Sequence, residues 1–305
     1  MKKTKILGFL FLFSLFATCA APLGVRAFSI ISKYEADSKK EILITSFFNY
    51  RPFGYVTFDS RNIGHQHSVF SKAVDQFFPK EGYSLRYKAF TSAQDAATST
   101  RQGKVDVFFG AYYASDMFEG LDFVFPAVLN NPVHLMMTPD KISQIQNLDD
   151  LKNLKGVYSQ EETFSDYMLK NFENLGVQGV SSTDEAYRML ILGEADYMLG
   201  SSYYNRICLA QKGLKGYIAF SKTPLWNMPL FFGVSKASKN SKQFSAYFKK
   251  MLSNENFKIK VLQDLKQTIE EIETQSQGVV PPMYVRQARE DEKTPADELL
   301  EQKGQ

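Results

Sequence analysis

The sequence predicts an α/β protein made of two similar lobes, and three observations carry that reading. Apolar, β-branched runs alternate with stretches of helical periodicity from residue 41 onward. A helix–glycine–aspartate–strand–glycine pattern occurs twice, at Gly103 to Gly110 and at Gly193 to Gly200. Hydrophobic residues make up 44% of the chain and charged residues 23%, enough apolar material for one large domain or two ordinary ones.

Glu41 to Phe48 (EILITSFF) opens the fold as a strand, broken by Pro52 and Gly54. Ser68 to Phe78 places Val69, Phe70, Ala73, Val74, Phe77 and Phe78 at helical spacing, and Pro79 and Gly82 stop it. Leu85, Tyr87 and Ala89 alternate as in a strand. A capping box at Thr91-Ser92-Ala93-Gln94 opens the next helix. Gly103-Lys-Val-Asp106-Val-Phe-Phe-Gly110 follows it. Ser182-Thr-Asp-Glu185 is a second capping box, and its helix leads into Gly193-Glu-Ala-Asp196-Tyr-Met-Leu-Gly200.

Each part of the repeated pattern has a physical role. The first glycine takes the left-handed turn that ends a helix. The aspartate sits in the tight loop before a strand, and three apolar residues make the strand buried. The final glycine removes a side chain at the strand's carboxyl end, where open α/β sheets bind ligands. Gly110 and Gly200 are therefore expected to face each other across a cleft. The reading fails if the halves merge into one continuous sheet, or lie apart with no shared crevice.

The second half continues with a helical turn at Leu148 to Leu154, a strand at Gly156-Val157-Tyr158 and a helix from Phe164 to Leu175. Strands follow at Tyr217 to Phe220 and at Leu230 to Val234, the latter returning the chain to the first lobe. Lys242 to Leu252 and Asn256 to Ile272 read as closing helices. Residues 278–305 are rich in charge and contain Pro281 and Pro282. They are expected to form a flexible tail, with a partner-binding helix at Ala296 to Gln302 as the alternative.

Residues 1–27 read as a secretory signal. Lys2, Lys3 and Lys5 precede the apolar run Ile6 to Ala17, and Val25-Arg26-Ala27 suits cleavage after Ala27, with Ala20 as the alternative. That run is short of the roughly 20 residues that span a bilayer. Cys19 raises lipid anchoring, but Phe16 and Thr18 stand where a lipobox wants leucine and a small residue. The expected location is periplasmic or secreted. The segment holds four of the 36 basic residues and none of the 33 acidic ones, so the remainder carries 32 against 33. The formal charge of +3 becomes −1, and nothing electrostatic favours nucleic acid. Only Cys208 remains beyond the signal, so no internal disulfide is expected.

The order of elements resembles the family-3 extracellular solute-binding proteins of ABC importers over residues 41 to 272. The matching pieces are Tyr50-Arg51-Pro52-Phe53-Gly54, Gly103-Lys-Val-Asp106, Leu121-Asp122-Phe123 with Pro126, Leu148-Asp-Asp-Leu151, Leu192-Gly193-Glu-Ala-Asp196 and Phe232-Gly-Val-Ser-Lys236. The resemblance implies a type II periplasmic-binding-protein-like fold: two α/β lobes joined by two crossover strands that hinge shut on a ligand. Lobe one is expected at 40–132 plus 230–275, and lobe two at 133–229. It further implies a monomer that binds a small-molecule solute and docks on an ABC transporter permease, with no cofactor and no metal.

The departures from that family bear on the ligand. Its amino-acid binders carry an arginine for the ligand carboxylate where this chain has Met117, a threonine at Ala114, and an aspartate for the ammonium at Ser201. A free α-amino acid is therefore not the expected ligand. The candidate binding residues are Tyr50, Arg51, Gly110, Tyr112, Tyr113, Ser115, Met117, Thr163, Ser201 and Ser202. Tyrosines also serve as core, and loop serines often only finish turns. Two other classes stay open. One is an enzyme of cyclohexadienyl dehydratase type, for which Glu161, Glu162 and Glu173 are the candidate general acids. The other is a sensor or accessory receptor. His65-Gln66-His67 has no cysteine or carboxylate nearby at ligand spacing, so surface histidines are the expected reading.

Overall fold

A computed structural model describes residues 40–78, 82–113, 115–143, 145 and 148–291. The expectations for the export signal, Cys19, Ala114 and the helix at Ala296 to Gln302 lie outside those residues.

Strand β1 (Lys40–Thr45) pairs in parallel with β6 (Val107–Tyr112). Between them in sequence come β2 (Asn49–Tyr50), β3 (Gly54–Phe58), β4 (Gly64–His67), α1 (Val69–Phe77), β5 (Tyr83–Tyr87) and α2 (Ala93–Arg101). The Ser68 Oγ accepts the Phe70 N–H to start α1, whose Val69, Phe70, Ala73 and Val74 are buried. Ser92 caps α2 by accepting the Asp95 N–H at 3.0 Å. The box therefore begins at Ser92, one residue later than Thr91.

The long strand β7 (Leu121–Met137) follows, then α3 (Pro139–Ile142), β8 (Gly156–Ser159), α4 (Asp166–Asn174), β9 (Gln178–Val180), α5 (Thr183–Ile191), β10 (Tyr197–Ser201), α6 (Ser202–Gln211), β11 (Ala219–Phe220) and β12 (Trp226–Ser235). Three helices close the described chain: α7 (Ser241–Leu252), α8 (Glu255–Gln275) and α9 (Met283–Asp291). β10, β8 and β9 pair in parallel and form a second αβ group.

The two halves of the sequence pattern perform the same local chemistry. Gly103 and Gly193 both take φ 72, the left-handed helix end that glycine accepts without strain. The Asp106 Oδ2 accepts the Leu43 N–H of β1 at 2.9 Å, while Asp106 N–H donates to the Leu43 carbonyl. Asp196 Oδ2 accepts the Lys155 N–H at 2.8 Å, and Asp196 N–H donates to the Lys155 carbonyl. Each aspartate thus ties its own strand to the neighbouring parallel strand, Asp106 at mid-β1 and Asp196 at the entry of β8. Asp106→Asn and Asp196→Asn are each expected to lower stability by about 1 kcal/mol. The two share no partner, so the double variant should lose their sum in urea melts.

The halves are not separate sheets. The hydrogen-bonded order is β5-β1-β6-β12-β7-β10-β8-β9, with β11 also on β7, nine strands in one sheet. The cause is that β7 and β12 run through both groups. β7 pairs β12 at Leu121 to Val124 and again from Leu129 to Val133, and its far end, Val133 to Met136, pairs β10. The register breaks between Val124 and Leu129, opposite Phe231. The sheet is thus continuous in its bonds but interrupted where the two groups meet. One bonded sheet is the outcome stated above as failing the reading; that criterion was too strict, because strands shared by both groups join them in a single sheet while a crevice between the groups is still present, as described below.

Other differences are informative. The three-stranded sheet β2-β3-β4 was not expected: β2 and β4 are short and polar, and β3 (GYVTF) begins at the Gly54 that, with Pro52, reads as a break. Nor was α6, which the sequence hides among tyrosines and serines. Residues 283–291, expected within the tail, form α9 instead. Val285 there is 2% exposed and packs in a cluster with Ala186, Leu190 and Leu214.

Candidate functional site

The segments that follow β1, β6 and β8 converge on one crevice. Its cavity of about 560 Å³ is lined by Phe47, Phe48, Asn49 and Tyr50 from the end of β1 through β2, and by Thr91, Ser92 and Ala93 at the start of α2. Ser115 and Met117 lie on the same side. The opposite wall is Tyr158 of β8 and Gln160 to Phe164 after it, with Asp166 and Leu169 of α4. Both halves of the fold therefore contribute.

Four of the residues singled out from sequence line this cavity: Tyr50, Ser115, Met117 and Thr163. The other six do not. Arg51 holds its guanidinium 4.4 Å over the Tyr55 ring. Tyr113 is 56% exposed and packs on Phe123, Phe125 and Phe231. Ser202 is the half-buried first residue of α6. Gly110 serves the backbone: it has φ 84 and sits between Phe109 and Ala111, which pair with consecutive residues Phe232 and Phe231, so it is the extra residue of a β-bulge.

Tyr112 and Ser201 belong to a buried polar network behind the cavity. Asn131 of β7 is fully buried and donates from Nδ2 to the Tyr50 hydroxyl at 2.9 Å and the Tyr112 hydroxyl at 3.2 Å. Its Oδ1 accepts the Ser201 hydroxyl at 2.6 Å. The Ser201 N–H donates to Glu162 at 2.8 Å, and Asn205 Nδ2 donates to the other Glu162 oxygen at 2.7 Å. Tyr187 completes the chain by donating to Asn205 at 2.6 Å. Ser201, standing where an ammonium anchor is implied, has its hydroxyl committed to Asn131.

Glu162 was missed as a binding residue and was named only as a candidate acid. It is 5% exposed. Burial raises its carboxyl from 4.5 to about 8, although the Asn205 and Ser201 donors pull the other way. Glu161 turns elsewhere and accepts the Thr183 N–H at the start of α5 at 2.9 Å. Glu173 lies on the exposed face of α4, away from the crevice. Asn131 had one sequence signal: it lies beside Asn130 and Pro132 inside an otherwise apolar run.

The two walls also touch directly. Asp166 accepts the Asp116 N–H at 2.8 Å. The Tyr50 and Tyr204 rings lie 5.1 Å apart, and Phe53 meets Tyr203 at 6.1 Å. His65 and His67 lie on β4, His65 beside Asp59 at 3.5 Å and His67 stacked on Tyr55. Among the described residues no group of three or more His, Cys, Asp or Glu side chains is placed to hold a metal ion.

This architecture is that of the type II periplasmic-binding-protein-like proteins: two αβ groups joined by two shared strands, with a crevice at their carboxyl ends. No family model matches the sequence. No curated protein matches it either. Solved structures do. A putative binding component of an ABC transporter from Wolinella succinogenes, complexed with lysine, aligns at TM-score 0.59 and 17% identity, over 75% of this chain and 95% of that one. An amino acid ABC transporter substrate-binding protein from Streptococcus pneumoniae, bound to L-arginine, aligns at 0.55 and 15%, over 79% and 98%. An ancestral amino-acid-binding protein, described as a precursor of cyclohexadienyl dehydratase, aligns at 0.55 and 16%, over 77% and 98%. At these identities the likeness establishes the fold.

Proposed function

We propose that this chain binds a small solute in the crevice without changing it chemically. The supporting observation is the cavity of about 560 Å³ lined from both αβ groups at the carboxyl ends of their strands. Residues 40–132 plus 230–275 act as one lobe and 133–229 as the other, hinging where β7 and β12 pass between them. Delivery to an ABC-type permease outside the cytoplasm, after export on residues 1–27, is part of the same reading. With Met117 lining the cavity and the Ser201 hydroxyl tied to Asn131, the ligand is not gripped as a free α-amino acid.

Thermal-shift screening of the protein against metabolite pools tests this. A solute at 100 times its Kd stabilises the folded state by about 2.7 kcal/mol, and the melting temperature rises accordingly. A screen in which no class of solute moves it removes the reading. One observation favours a second reading: Glu162 is a buried acid at the cavity with its carboxyl held at about 8, suited to general acid catalysis. Turnover of a cyclohexadienol substrate, lost in Glu162→Gln, would establish it in place of simple binding.

A further inference from the structure

We propose that the crevice takes an organic cation with an apolar body and no carboxylate, an arylamine, alkylamine or quaternary ammonium. This rests on the binding reading above and names its ligand class.

Every charged side chain lining the cavity is acidic: Glu161, Glu162 and Asp166. No lysine or arginine lines it, and Arg51 lies over the Tyr55 ring, outside the lining. Asp166 is exposed at the rim, Glu161 is bonded to the Thr183 N–H and Glu162 lies buried behind the wall, so a carboxylate guest would meet a lining whose charges are all of its own sign. The body of the cavity is aromatic, with Phe47, Tyr158 and Phe164 among its walls. Aromatic faces with carboxyl groups beside them attract a desolvated cation and leave an anion poorly matched. The cavity volume of about 560 Å³ admits a ring or short chain behind the charged head.

Binding is then coupled to Glu162. The groups that feel its charge are Tyr50, Tyr112, Tyr187, Tyr204 and Cys208, and burial raises all of them above their ordinary values. No cation contributes to Glu162 itself. It is consequently the one member of this group that titrates near neutrality. A bound cation favours its ionised form, so affinity rises with pH up to about 8 and then levels.

Calorimetric titration with tyramine, tyrosine and benzyltrimethylammonium tests the proposal, the last because its charge does not titrate. The two carboxylate-free cations should bind, and tyrosine at least tenfold more weakly than tyramine. Affinity for benzyltrimethylammonium should rise by up to tenfold per pH unit between pH 6 and about 8, the limit for release of one proton. Glu162→Gln should abolish the rise. Asp166→Asn, at the rim, should keep the rise while weakening binding severalfold, and it serves if the buried variant does not fold. Tyrosine binding as well as tyramine, a flat pH profile, or no cation binding while a neutral solute does, overturns the ligand class and leaves the receptor reading standing. No binding by any class of solute overturns both.

Discussion

Between pH 5 and pH 8 the protein without ligand should lose stability, on the order of 4 kcal/mol, because Glu162 has to give up its proton inside the fold. The sign follows from the direction of the shift. Its carboxyl is raised from 4.5 to about 8, so through that window the folded chain holds a proton that the unfolded chain has already released. Stability is full below the lower value, falls as pH rises between the two, and stays low above the upper one. Asp59, Glu194 and Glu273 have lowered values, so their contributions are lost only as pH falls further into the acid range. The two effects therefore separate on the pH axis. Urea midpoints taken at pH 5 and pH 8.5 should show the drop in the parent chain. Glu162→Gln should flatten it, since its amide has no proton to lose there. An equal drop in both proteins would assign the effect to other groups.

Gly200→Ala should cost about 3 kcal/mol. A Cβ at Gly200 would lie 2.5 Å from Asn205 Nδ2 and 2.9 Å from Glu162 Oε1. Neither atom can retreat without opening its hydrogen bond to the other, and both sit in a buried network where an unmade bond is expensive. Gly110, its counterpart in the repeated pattern, has a different constraint. A Cβ there meets Phe70 and Phe47 at 3.4–3.5 Å, ordinary contact, but the residue has φ 84. Gly110→Ala should cost about 1–2 kcal/mol from backbone strain alone. Chemical denaturation of both variants should rank Gly200→Ala as the more damaging. The reverse order would place the tighter constraint on the bulge.

The fold was largely legible because its elements obey local rules. Capping at Ser92 and Ser182, the left-handed turns at Gly103 and Gly193, and the aspartates at the strand entries are set by residues within a few positions of one another. The shared strands were less legible. β7 runs from Leu121 to Met137 through Pro126, Asn130, Asn131 and Pro132, residues that read as loop. Its pairing with β12, more than ninety residues away, supplies the bonds that local propensity does not. α9 was hidden for a similar reason: a charged, proline-preceded segment becomes helical because Val285 finds an apolar groove beside α5.

The candidate site was legible only in part. Tyr50, Ser115 and Thr163 were found from their places beyond strand ends and Met117 from the family's carboxylate-anchor position, and they line the cavity. Tyr112 was found from its place after Gly110 and Ser201 from the family's ammonium-anchor position, yet they are consumed by Asn131. Nothing in the sequence separates a hydroxyl that faces a cavity from one that a buried amide captures.

The amino-acid sequence by itself determined the duplicated αβ design, since caps, glycine turns and apolar strands are short-range features that repeat wherever the residues repeat. Tertiary structure decided what the crevice is made of. Which polar groups face solvent and which face each other depends on contacts between residues far apart in the chain, such as Asn131 with Tyr50 and Ser201, and Glu162 with Asn205. Burial then sets the charge state of Glu162, because loss of water acts on a carboxyl only once the folded chain surrounds it.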